Sequence, residues 1–233
     1  GILKALNFSE VGTMSNIIGW WKLDNDALDY SGSGNDGNIY GAFITSGLGQ
    51  SSYEFDGSDD YIETTNNIYL GTSPWTVFSW YYPKSSSDYG HIFTSSADQG
   101  NFACKISQNL IPYFFAGSDF RTETTGVPAI SLDEWSCLAY IFDGATVKIY
   151  HNGNLIVNES NITPNDIPSS KYRIQGGNNE FVNAKHQNVR LYERALTSEE
   201  VNILYNLTNP NQKQRVIQSE NQSIYIKNEL IEY

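Results

Sequence analysis

Apolar and polar residues alternate in short runs along most of the chain. The runs include NIIGWWKLD, SSYEFDG, DYIETT, WTVFSWYYP, GHIFTSS, FACKIS, LIPYFFAG, WSCLAYIFDG, ATVKIYHNGNLIVN and KYRIQGG, with Gly, Asn, Asp and Ser between them. A period of two sends successive side chains to opposite faces of a strand. Many short strands separated by turn residues predict an all-β sandwich or barrel. In VKIYHNGNLIV the pair Asn152-Gly153 lies between two β-rich runs. Both residues accept positive φ, so the pair predicts a type I′ hairpin. The period changes in RALTSEEVNILYN. There Thr197 can cap the amide of Glu200 while Glu200 reaches back, and Val201, Leu204 and Tyr205 then share one face. This predicts a helix of two or three turns, stopped near Pro210 and lying across one end of the sandwich. The chain thus divides into an N-terminal arm over 1–14, one β domain over 15–208 and a C-terminal extension over 209–233. Ser223-Ile224-Tyr225-Ile226-Lys227 alternates and predicts an extra strand or hairpin in that extension.

Composition narrows the function classes. With 39% hydrophobic and 14% aromatic residues in 233, the chain can bury a core without staples. Its formal net charge of −12 repels nucleic acid and anionic membranes, so neither is an expected partner. No apolar run is long enough to span a bilayer, so no membrane insertion is expected. Cys104 and Cys137 have no zinc-ligand spacing and sit in strand-like runs. Two buried free thiols are expected, with a bridge between neighbouring strands as the alternative.

Residues 29–37 read DYSGSGNDG and contain the pattern G-x-G-x-x-G at Gly32, Gly34 and Gly37. A dinucleotide loop needs a helix directly after the last glycine, to receive the pyrophosphate. Here the glycines run into Asn38-Ile39-Tyr40-Gly41-Ala42-Phe43-Ile44, which reads as a strand. A calcium loop is the second reading. Asp24, Asp29, Ser31, Asn35 and Asp36 gather side-chain oxygens, and Ca²⁺ accepts irregular cages of carboxylate, amide and carbonyl oxygens. The third reading is a tight loop in which Asp and Asn cap their own backbone.

GWWKLDNDALDYSGSGNDGNIYG resembles the opening of the laminin-G-like jelly-roll domains of the concanavalin A-like lectin/glucanase superfamily. SYEFDGSDDYIET, WTVFSWYYP, DEWSCLAYIFDGATVKIYHNGNLI and VRLYERALTSEEVNILYN resemble later blocks of that family, in the same order. The resemblance covers about Gly19 to Asn206. It implies a two-sheet antiparallel jelly-roll sandwich with one short C-terminal helix, and often calcium at one edge. The family's calcium ligands match Asp29, Asn35 and Asp36 here, with Asp24 nearby. Where relatives carry two acidic residues before the last strand, this chain has Gln187-Asn188, which leaves Asn188 as an uncharged ligand candidate.

Glucanases on this fold carry E-x-D-x-x-E on one strand, which sets up paired carboxylates for hydrolysis. No such run is present, nor G-x-S-x-G. His91, His151 and His186 are far apart and read as surface or loop residues. A catalytic role is therefore not expected. Aromatics that could stack on a sugar include one of the consecutive Trp20 and Trp21, residues among Trp80, Tyr81 and Tyr82, Tyr113 with Phe115, and Phe181 after Asn178-Asn179. No subset stands out.

Two functions are expected on these grounds. One is a non-catalytic, lectin-like module binding a glycan or another cell-surface ligand, with or without structural calcium as its cofactor. The other is a structural or assembly protein, such as a surface-layer or virion component, whose arms 1–14 and 209–233 make protein contacts or an oligomer. Either implies an extracellular, cell-surface or virion location.

Overall fold

The computed structural model describes residues 15–96, 102–116, 120–122, 125–160, 162, 166–177 and 179–211. The N-terminal arm, the expected strand at 223–227 and Asn178 lie outside the described residues. In chain order the strands are β1 (Ile17–Trp21), β2 (Gly37–Tyr40), β3 (Phe43–Ser46), β4 (Ser51–Asp56), β5 (Tyr61–Thr64), β6 (Trp75–Pro83), β7 (Gly90–Ser95) and β8 (Ala103–Ile106). They continue as β9 (Pro112–Ala116), β10 (Phe120–Arg121), β11 (Ser136–Phe142), β12 (Thr146–His151), β13 (Asn154–Ser160), β14 (Tyr172–Ile174) and β15 (Asn183–Tyr192). Helix α1 spans Ser198–Thr208.

Two antiparallel sheets form the expected jelly-roll sandwich. The larger has the order β13-β12-β11-β6-β15-β4-β3, with β1 also paired to β15. The smaller has the order β10-β9-β8-β7-β14-β5-β2. Alternation sorts the side chains. On β6, Trp75, Val77 and Tyr81 face the space between the sheets, and Phe78 and Trp80 face outward. The inner layer is strongly aromatic: Trp75 packs with Phe102 at 4.8 Å and Phe114 at 4.9 Å, and Phe93 stacks on Tyr172 at 5.0 Å between centroids.

The larger sheet has a second apolar layer on its outside. Phe78, Trp80, Cys137, Ala139, Ile141, Tyr150 and Tyr192 meet Val201 and Leu204 of α1. The helix therefore lies on a sheet face and not across the end of the sandwich, because the outward positions of β6, β11 and β15 are themselves apolar. Its expected capping box forms, with Glu200 N donating to Thr197 Oγ1 at 3.2 Å and Thr197 N donating to Glu200 Oε2 at 2.9 Å. Trp80 Nε1 donates to Thr208 Oγ1 at 2.8 Å and its ring stacks on Tyr205 at 5.9 Å.

Other local expectations also have structural outcomes. Asn152 (φ 51°) and Gly153 (φ 81°) turn the β12–β13 hairpin. Trp21 is in the core, whereas Trp20 is half-buried. Cys104 belongs to the inner core and Cys137 to the layer beneath α1, and both thiols are free. The run after Gly37 is not one strand. It breaks at Gly41 (φ +74°), where an added Cβ would fall 1.7 Å from Asp60 Oδ1, so the chain crosses from the smaller sheet to the larger. Two histidines are also not at the surface. His91 is 1% exposed and His186 0%. His186 lies between Tyr81 and Phe55, with Nε2 3.1 Å from Gln175 Oε1.

Candidate functional site

The loop from β1 to β2 is held by its own acidic residues. Asp29 Oδ1 accepts from Trp20 N at 2.9 Å and from Ser31 N at 2.8 Å. Its Oδ2 accepts from Ser31 Oγ and Asn35 N, each at 2.9 Å. Asp36 Oδ1 accepts from Asp29 N at 2.8 Å. Asn35 Nδ2 donates to Ile18 O at 2.7 Å, and Asn35 O accepts from Trp21 Nε1 at 2.8 Å. The carbonyl oxygens of Gly34 and Asp36 are taken by Asn66 Nδ2 and Thr65 N. A calcium cage needs six or more oxygens turned toward one point. Here the Asp29 carboxylate and three successive loop carbonyls are committed to N–H and O–H donors. These hydrogen bonds make the segment a loop that caps its own backbone.

The metal-ligand candidates are also split between two places. Asp29, Asn35 and Asp36 build the loop, whereas Asp24 and Asn188 line a cleft of about 660 Å³ on the outside of the larger sheet. Among the described residues, one group of acidic side chains brings its oxygens within 4.8 Å: Asp56, Asp59 and Asp60. There too the oxygens serve a turn, with Asp60 Oδ2 accepting from Asp56 N at 2.9 Å.

The cleft is built by a bulge. β15 shifts register against β6 between Gln187 and Arg190, and Asn188 there adopts φ 53°. Asparagine tolerates this left-handed conformation better than most residues, and strain of this kind collects at ligand sites. Asn188 Oδ1 accepts from Trp20 Nε1 at 2.9 Å and from Arg190 Nε at 3.1 Å. Both partners are obligate donors, so the amide orientation is fixed, and Nδ2 is left with no partner among the described residues. The Arg190 guanidinium lies 4.5 Å from the Trp20 ring centroid. The Lys22 ammonium lies 3.7 Å from the Tyr30 ring and 5.3 Å from Trp20. Gln187 clamps the opposite wall, with Oε1 accepting from Leu48 N at 2.8 Å and Nε2 donating to Leu48 O at 3.3 Å. Leu48, Leu204, Leu207 and Pro210 supply apolar surface, and Gly49, Gln50 and Thr208 complete the lining.

The outer face of the smaller sheet differs. Lys105 on β8 and His91 on β7 both meet Glu180 Oε2, His91 at 2.8 Å. Burial pushes the His91 imidazole below its ordinary value, against the opposing pull of Glu180. Burial would raise the Glu180 carboxyl, but hydrogen bonds from His91 and Lys105 outweigh it and hold the group low. Arg173 lies 4.0 Å over the Tyr61 ring and donates to Glu63 at 2.9 Å, while Tyr61 stacks on Tyr40 at 4.5 Å.

Asp24 and Asn188 entered the sequence reading as calcium-ligand candidates and Trp20 as one of several aromatics, whereas Lys22, Gln50, Arg190 and Thr208 were not singled out. The WWK and NVR triplets carry the signal for Lys22 and Arg190. Nothing local marks Gln50 or Thr208, which arrive on a turn and a helix end.

Comparison with known proteins gives consistent results. A family model described as the concanavalin A-like lectin/glucanases superfamily matches residues 56–202. The binding domain of Paraclostridial Mosquitocidal Protein 1 superposes with TM-score 0.68 at 18% identity, covering 83% of this chain and 52% of that one. Domain 4 of AbnA, a GH43 extracellular arabinanase from Geobacillus stearothermophilus, in complex with arabinotriose, gives 0.68 at 18%, covering 82% and 98%. A botulinum neurotoxin type C structure, concerned with cell entry dependent on two ganglioside molecules, gives 0.68 at 16%, covering 84% and 52%. At these identities the likeness is one of fold. This chain spans about half the length of the toxin chains it matches. No curated protein matches it significantly in sequence.

Proposed function

The chain belongs to the concanavalin A-like lectin/glucanases superfamily, and on that premise we propose that it is a non-catalytic lectin-like module whose cleft beside Trp20 binds a carbohydrate at a cell surface. The observation that carries this reading is the Asn188 bulge. It fixes an amide whose two Nδ2 hydrogens have no partner among the described residues, in a cleft whose other walls are an aromatic ring, leucines, a lysine and a carboxylate. Sugars need this mixture, with apolar surface for their C–H faces and fixed polar groups for their hydroxyls. A volume of about 660 Å³ suits a mono- or disaccharide. The neighbours support the ligand class: one is a domain in complex with arabinotriose and another concerns dependence on gangliosides. A non-catalytic role is supported by the lack of the E-x-D-x-x-E run that glucanases on this fold carry. The test is a glycan array with the wild-type chain and Asn188→Asp. Aspartate keeps the acceptor for Trp20 and Arg190 but loses the Nδ2 donors. At least a tenfold loss of affinity with an unchanged Tm is expected. An array blank across neutral and acidic glycans overturns the reading.

A further inference from the structure

Among the described lysines, all but one have a carboxylate beside them. Lys84, Lys105, Lys148, Lys171 and Lys185 each lie within 3.8 Å of one. A chain with 26 acidic and 14 basic residues makes such pairing easy. Lys22 differs: among the described residues, no carboxylate comes within ion-pair distance of its ammonium. Asp24 is two positions away, yet its Oδ1 accepts instead from the neighbouring Asn25 N at 2.8 Å. The ammonium lies 3.7 Å from the Tyr30 ring and 5.3 Å from the Trp20 ring. Aromatic faces attract a cation but bring no charge to neutralise it.

Lys22 lines the Trp20 cleft in the company of other donors. Asn188 N donates to Lys22 O at 2.8 Å, so the two residues are backbone neighbours. The Arg190 guanidinium, 4.5 Å from the Trp20 ring, brings a second cation to the same ring. Lys22, Asn188 and Arg190 thus offer donors and positive charge. Their one side-chain acceptor, Asn188 Oδ1, is already taken by Trp20 Nε1 and Arg190 Nε. The lining also includes the Asp24 carboxylate and the Gln50 amide, whose oxygens can accept from hydroxyls.

Resting on the carbohydrate reading of the cleft, we propose that its ligand is an acidic sugar, a sialic or uronic acid whose carboxylate is held by Lys22 and the Asn188 amide. A carboxylate offers two acceptor oxygens and no donor, which complements an ammonium beside an amide N–H. The remaining hydroxyls of such a sugar meet Asp24 and Gln50. The chain's net charge of −12 disfavours anions at a distance, but salt screens that field over about 8 Å. Contact with Lys22 therefore sets the preference.

Isothermal titration with two matched pairs tests it: 3′-sialyllactose against lactose, and methyl glucuronide against methyl glucoside. The acidic member of at least one pair should bind about tenfold tighter, the size of one charge-assisted hydrogen bond. The pair that shows the gain tells which acid the cleft takes. Lys22→Gln should bring the two members to similar affinity, and Lys22→Arg should keep the preference. Equal affinity for acidic and neutral members overturns the inference and leaves the carbohydrate reading standing. So does a preference that survives Lys22→Gln, or an equal gain for 3′-sulfated lactose, which would mean that any anion serves. Binding to no glycan, here or on the array, removes both readings together.

Discussion

The two outer faces of the sandwich share one inner core and differ in almost everything else. Outward positions of the larger sheet are Phe78, Trp80, Ala139, Ile141 and Tyr192, and α1 covers them. Outward positions of the smaller sheet include Lys105, Arg173, Glu63 and Tyr61, which pair with one another or with Glu180 in partial contact with water. The inward alternation sets the fold, and the outward alternation decides whether a third layer forms. The Trp20 cleft lies where that third layer ends, between the helix terminus and the β15 bulge.

The sharpest way to break this contrast is to remove the anchor of the third layer. Trp80→Ala deletes a 2% exposed ring, its stack on Tyr205 and its bond to Thr208. It should cost about 3–5 kcal/mol in chemical denaturation. Next is the loop that joins the sheets. Asp29→Ala removes an acceptor used by four donors and should cost about 2–4 kcal/mol. In the unaltered chain, calcium and a chelator should give the same Tm if the loop's own hydrogen bonds suffice to hold it; a calcium-dependent rise in Tm sinks the self-capping account.

Acid gives a smaller effect that separates the interior from the exposed face. Burial lowers His186 to about 3 and also lowers His91. Below their ordinary value near 6.5, the unfolded chain takes up protons that these folded-state imidazoles refuse. Stability is therefore present above pH 6.5 and falls as pH drops toward the folded-state values. For His186 the loss is about 2 kcal/mol between pH 6.5 and 5. His186→Asn should flatten the profile by that share, measured by urea midpoints across pH. The smallest effect belongs to the outer face of the smaller sheet: Arg173→Ala removes a partly exposed pairing to Glu63 and should change stability by about 0–1 kcal/mol. A loss above 2 kcal/mol would mean that the two faces are not as different as their composition suggests.

Local signals were the most legible part of the sequence. Thr197 and Glu200 sit three residues apart, and Asn152-Gly153 is a self-sufficient turn, so each could be read without knowing the fold. The ordered blocks from Gly19 to Asn206 carried the sandwich itself. What the sequence hid depends on distant partners. His91 meets Glu180 across 89 positions, and Lys105 meets it across 75. No local pattern announces that a strand histidine will be covered by a loop so far along the chain. The cleft was half visible for the same reason. Asp24, Asn188 and Trp20 lie in recognisable blocks, but the positive φ of Asn188 and the Gln187 clamp on Leu48 exist only once β15 is paired.

Cys104 and Cys137 occupy different hydrophobic clusters, one between the sheets and one under the helix. Burial raises both thiols well above their usual value, so neither forms the reactive thiolate while its cover is intact. Each is in effect a built-in clock for one kind of opening. Alkylation of Cys137 times the lifting of α1, and alkylation of Cys104 times the parting of the sheets, so one reagent can report separately how the two halves of the interior breathe.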